Sequence, residues 1–136
     1  MTEAPLAPPD LELARARRML EAAALLHASG FHEDAVSRAY YAVFHAASAL
    51  LATIGRTVRT HDGLRSAIGQ HFVRTGQLDA RFARVLARVA ADRNDADYNA
   101  ASTFGPEDSR EALADATAFV DAAAALTTGA AEPGAR

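Results

Sequence analysis

The chain of 136 residues contains no cysteine and no lysine. Without cysteine it has no disulfide, no thiolate zinc site and no cysteine nucleophile. All 14 basic residues are arginine, a bias that accompanies alanine richness in GC-rich coding sequences. Aromatic residues make up only 7% of the chain. No stretch alternates like a strand between turn signals, and no repeat of domain-building length is present. The N-terminus "MTEAPLAPPD" has neither a basic nor an apolar signal region. The longest apolar run, Ala39 to Ile54, is too short to span a bilayer and contains His45. The net charge of −3 gives no strong pull toward nucleic acid or an anionic membrane. These absences lead to the expectation of a soluble, cytoplasmic protein with no DNA or membrane partner.

What is present points to helices. Half the residues are apolar, and about a quarter are alanine, the best helix former and the smallest packing side chain. Turn and cap signals place helices at about 11–29, 32–54, 62–74, 78–98 and 106–127. Asp10 is an N-cap candidate for the first, and Thr60 for the third. Gly30, Gly55 and Gly76 stand where helices should end. The expected fold is all-α, an up-down bundle of five helices over residues 10–127. The flanking segments 1–9 and 128–136 read as disordered tails.

The second helix is apolar around most of its surface, so it should be central. Val36, Tyr40, Val43, Phe44, Ala47, Leu50, Leu51 and Ile54 form a broad apolar face. Ala39, Ala42, Ala46 and Ala49 form a small-residue stripe that lets another backbone approach, within the chain or across a dimer. Arg38, Tyr41, His45 and Ser48 form a narrow polar strip. The strip is either a solvated edge or the wall of a cleft that holds an anion or a base.

The fourth helix carries "RNDADY", residues 93–98. Phe82, Leu86, Val89, Arg93 and Asp97 share a sector of about 80° at 100° per residue. An arginine on an inward sector requires a partner, and Asp97 lies four residues on. Two readings follow: a structural Arg93–Asp97 clamp, or the same pair as the floor of a groove shared with Tyr41 or His45. Tyr98 should then point to the opposite side.

"AVSRAYYAVFHAASALL" followed by "RTHDGLRSAIGQHFVRTGQLDARFARVLARVAADRNDADY" resembles the small stand-alone HEPN (higher eukaryotes and prokaryotes nucleotide-binding) proteins of bacteria and archaea. The resemblance covers about residues 10–127 and rests on YYAxFHAA, TH-x-G and R-x-x-A-D-Y. It implies a five-helix bundle that dimerises, often the toxin-side component beside a minimal nucleotidyltransferase antitoxin. Catalytic members are metal-independent RNases, marked by an arginine followed by histidine after four to six residues. Here Arg93 matches the arginine, but Tyr98, Asn99 and Ala100 occupy the histidine positions. The spacing recurs at Arg38–His45, Arg56–His61 and Arg65–His71, so spacing alone carries little. His45, or His61 in the loop, is a candidate to replace the missing group. A tyrosine two residues past the histidine is modified in some members. Ala100 takes that place here, and Tyr98 is the nearest tyrosine.

The candidate catalytic residues are therefore Arg93 and His45. The candidate groove comprises Arg38, Tyr41, His45, Arg93, Asn94, Asp97 and Tyr98, with Tyr98 the candidate modification site. No metal-ligand spacing or phosphate loop is found, and no cofactor is expected. Arg81, Arg84 and Arg88 read as a solvated face. Three functions are in view. The first is a non-catalytic or weakly catalytic toxin-side component, acting as a homodimer with a nucleotidyltransferase antitoxin. The second is an RNase toxin, with RNA as partner. The third is a nucleotide- or anion-binding module.

Overall fold

The structure is a computed structural model that describes residues 7–101 and 103–131, of which 129–131 by backbone alone. Its helices are α1 (Pro9–Ala28), α2 (His32–Thr53), α3 (His61–Ile68), α4 (Arg81–Tyr98) and α5 (Pro106–Ala131). A short π-helical segment, Gly69–Val73, continues α3. No strand occurs among the described residues. No helix there is long and apolar enough to cross a membrane.

Local chemistry accounts for the helix ends. Pro9 occupies the first turn of α1, where a missing N–H costs nothing. Asp10 thus lies inside the first turn and not at the cap, which is Pro8, a correction of two residues. Its charge there still opposes the helix dipole. The α1–α2 turn closes at Gly30, whose φ of 87° suits glycine, and the Phe31 N–H donates back to the Leu26 carbonyl at 2.9 Å. Thr60 caps α3 as expected, its hydroxyl accepting from the Gly63 N–H at 3.0 Å.

Four boundaries differ from the sequence reading by more than one residue. The expected helix 62–74 is α in its first part only. Beyond Ile68 the winding loosens, and the Arg74 N–H reaches the Gly69 carbonyl at 2.9 Å. α4 starts at Arg81, because Asp79 accepts from the Arg81 N–H at 2.8 Å and holds the preceding residues in a turn. α5 continues through residues 128–131, which the sequence assigned to the tail. Pro9 likewise belongs to α1 and not to the N-terminal tail. Residues 1–6 and 132–136, the remainder of both expected tails, lie outside the described residues.

α2 is the central helix, packed by α1, α4 and α5. Ala39, Ala42, Ala46 and Ala49 are fully buried within the single chain. The small-residue stripe is therefore used internally, letting neighbouring helices approach α2 closely. Val36, Val43, Leu50 and Leu51 fill the core beside it, while Ile54 is exposed at the helix end. α4 and α5 are joined by Phe82 and Phe119, edge to face at 5.8 Å, and by the Arg88–Asp115 ion pair. This packing sets the direction in which the last turns of α4 pass over α2.

One glycine in this frame is sterically required. A Cβ on Gly63 would sit 2.7 Å from Val58 Cγ1 and 2.8 Å from Thr60 Oγ1. Gly63→Ala should therefore cost about 1–3 kcal/mol by overpacking and disturbance of the α3 cap. Urea denaturation reads this directly, and an unchanged midpoint would contradict it.

Candidate functional site

Arg93 leaves α4 toward α2 and lies over two tyrosines. Its guanidinium carbon is 4.6 Å from the Tyr40 ring centre and 5.8 Å from that of Tyr41. Adjacent positions on α2 place these two rings edge to face, 5.1 Å apart. Each face attracts a cation by about 0.5–1 kcal/mol or more where water is partly excluded. Asp97, one turn on, brings a carboxylate oxygen to 3.6 Å of the guanidinium. That is an ion pair and too long for a hydrogen bond. The same oxygen accepts from the buried Ser37 hydroxyl at 3.5 Å. The side chains of Arg93 and Asp97 are 22% and 28% exposed, so the pair is half-buried.

These neighbours hold Arg93 charged. Burial pulls its pKa down, but hydrogen bonding to Tyr40 and the fields of Tyr40, Tyr41 and Asp97 outweigh this, and the pKa lies above the ordinary arginine value. Its Nε is buried with no hydrogen-bond acceptor. The guanidinium is thus oriented by its aromatic neighbours while part of its donor capacity stays unused.

On the other side of Arg93 is His61, the first residue of α3. Its ring lies 6.0 Å from that of Tyr40, and His61, Asp62, Arg65, Arg93 and Asn94 line one cavity of about 320 Å³ between α3 and α4. Ala87 and Ala90 contribute its apolar wall. His61 Nδ1 is buried without a partner. Burial pushes the His61 pKa below its ordinary value, Arg65 and Arg93 add to this, and Asp62 opposes it. Burial, Arg65 and Arg93 thus favour the neutral imidazole.

A lowered histidine pKa has a stability consequence. The unfolded imidazole takes up a proton as pH falls through about 6.5, while the folded one resists. Protonation therefore favours unfolding, and this share of stability is lost as pH falls below about 6.5. His61→Gln should flatten the decline in urea midpoint between about pH 7 and about pH 5 relative to wild type. An identical decline in both proteins would refute the assignment.

The other expected site residues spread along the same helices. Arg38 is exposed, its guanidinium carbon 5.3 Å from the Tyr41 ring centre. Its terminal nitrogen is 4.0 Å from Met19 Sδ. Asn94 is exposed at the cavity mouth. Tyr98 is 73% exposed. His45 pairs through Nδ1 with Glu12 of α1 at 2.8 Å. Among the described residues, no hydrogen bond or ring contact joins His45 to Arg93. The structure therefore brings together Arg93, Asp97, Tyr40 and Tyr41, and adds His61 and Arg65, which periodicity on α2 and α4 could not reach. The signal for His61 was its place in "TH-x-G".

A second polar cluster escaped sequence reasoning. Ser109, fully buried at the start of α5, receives His27 Nδ1 at 2.5 Å and His32 Nδ1 at 2.9 Å. It ties the end of α1, the start of α2 and the start of α5 together. No group of three or more metal-ligating side chains occurs among the described residues.

Comparison with known proteins gives matching results. The HEPN domain matches residues 11–126. A UPF0332 protein of Thermotoga maritima is 33% identical over 108 residues, 79% of this chain and 82% of the relative. A protein of Methanocaldococcus jannaschii whose name begins "Putative toxin" is 35% identical over 108 residues, 78% of each chain. A UPF0332 protein of Archaeoglobus fulgidus is 31% identical over 114 residues, 84% of this chain and 90% of the relative.

Proposed function

The chain belongs to the HEPN domain family, and from that premise we propose that it is the toxin-side component of a HEPN/minimal-nucleotidyltransferase toxin–antitoxin pair. Its toxin-like role draws support from the relatives in Methanocaldococcus jannaschii that carry the word toxin in their names. The observation that carries the finer reading is the state of Arg93. It stands at the family's arginine position, charged and stacked on Tyr40 and Tyr41, while Tyr98, Asn99 and Ala100 replace the following histidine. Without that proton-transfer group on the same helix, RNA cleavage is weak or absent. The protein acts through a complex with its partner, as a homodimer in the cytoplasm. Exposure of Tyr98 supports it as the residue accessible to a modifying nucleotidyltransferase.

A second reading, an RNase toxin, is favoured by one feature: His61 shares the cavity of Arg93. Inducible expression tests both readings. Expression of the chain alone should slow growth, and co-expression of the nucleotidyltransferase encoded beside it should restore growth. Unaffected growth in both cases would remove the toxin assignment. Rapid RNA loss before growth slows would favour the RNase.

A further inference from the structure

The last turns of α2 border a second cavity, which shares no lining residue with the one beside Arg93. It has a volume of about 360 Å³ and lies between the start of α1, the end of α2 and the α2–α3 loop. That size falls within the range of about 300–1,000 Å³ usual for small-molecule sites. Phe44, Ala52 and Val58, each half-buried, give it apolar walls. An apolar group entering here would displace water from these walls, which favours binding. Ser48 adds a half-buried hydroxyl.

The charges around the cavity are of both signs and are kept apart. Glu12 lines it from α1, while Arg56 and Arg59 line it from the loop. Among the described residues no ion pair joins Glu12 to either arginine, and neither arginine pairs with any other carboxylate. Glu12 is half-buried. Its Oε1 is bonded to His45 Nδ1 at 2.8 Å, and no hydrogen bond among the described residues reaches its Oε2. Both arginines are exposed, with their donors turned over to solvent or ligand.

This charge pattern selects among ligands. An anion alone would meet the Glu12 carboxylate, and a cation alone would meet two guanidiniums. A neutral apolar molecule would take water from these charges without pairing any of them, which is costly. A zwitterion with an apolar body answers all three groups. We infer that the cavity binds a free α-amino acid with an apolar side chain. Its ammonium meets Glu12, and its side chain packs on Phe44, Ala52 and Val58. Its carboxylate is held by Arg56 and Arg59, since a guanidinium engages a carboxylate through paired donors. A peptide bond at either end would remove one of the two charges, so the ligand is a free amino acid and not a chain segment. The site is independent of Arg93 and of the toxin reading.

The test uses the full chain with isotope-labelled alanine and valine methyl groups, titrated separately with L-leucine, N-acetyl-L-leucine and L-leucinamide. The Ala52 and Val58 methyl resonances should shift saturably with leucine, with a Kd of about 1 mM or tighter. N-acetyl-leucine lacks the ammonium and leucinamide lacks the carboxylate. Each should bind about tenfold or more weakly than leucine, the loss typical of one charge-assisted contact. Glu12→Gln keeps an acceptor for His45 and should weaken leucine by a similar factor, while leaving N-acetyl-leucine unchanged. Arg56→Gln combined with Arg59→Gln, both at exposed positions, should weaken leucine at least as much with an unchanged thermal melt. Arg93→Gln should leave leucine binding intact. Resonances unmoved by leucine at about 10 mM would overturn the site. N-acetyl-leucine binding as tightly as leucine would leave only an anion site, and leucinamide binding as tightly only a cation site; either result overturns the proposal.

Discussion

Arg93→Ala should lower stability by about 1–3 kcal/mol while abolishing the function of the α3–α4 site. The stability figure sums two aromatic contacts of about 0.5–1 kcal/mol each with a half-exposed ion pair worth under about 1 kcal/mol. It lies below the 3–5 kcal/mol for breaking a fully buried pair, because Asp97 retains water and the Ser37 hydroxyl. Arg93→Lys should not rescue, since an ammonium keeps the charge but loses the planar stack on Tyr40 and the paired donors. Urea denaturation and growth of the inducible strain read the two effects independently. A loss above about 4 kcal/mol would make Arg93 a core strut. Wild-type behaviour of the alanine variant in the cell would remove it from the functional site.

The largest loss of stability should come from Phe119→Ala, at about 3–5 kcal/mol. Phe119 is fully buried and packs edge to face on Phe82. It is the contact that seats α4 against α5, so its removal leaves a cavity where two helices meet. Against a total stability of about 5–15 kcal/mol, this brings the domain near unfolding at body temperature. The Arg93 site should fail with it, because the end of α4 is positioned by that packing. Tyr98→Ala provides the contrast: at 73% exposure it should change stability by less than about 0.5 kcal/mol. Thermal melts of the two variants side by side would show whether the Phe82–Phe119 contact has the importance assigned to it.

Local signals account for what could be read from sequence. The periodicity of α2 and the glycines after each helix are short-range features, and the helices follow them closely. Arg93–Asp97 was legible for the same reason, both residues being one turn apart on one helix. The approach of His61 to Arg93 was not, because it depends on how α3 and α4 meet across the chain. His45 shows the same limit. Its place on the polar strip was correct, but only the packing of α1 reveals Glu12 as its partner. The alanine stripe left two uses open, and burial within one chain identifies the internal use. Ser109 gave no signal at all, since two histidines on other helices converge on it.

We propose that this HEPN protein works as one half of a pair, with Arg93 at its functional centre. Co-expression of the tagged full chain with the product of the adjacent reading frame, followed by size-exclusion chromatography, tests the proposed pairing most directly. The two proteins should elute together as one complex at micromolar concentration. Separate elution of two folded proteins, or a neighbouring frame that encodes no nucleotidyltransferase, would contradict it.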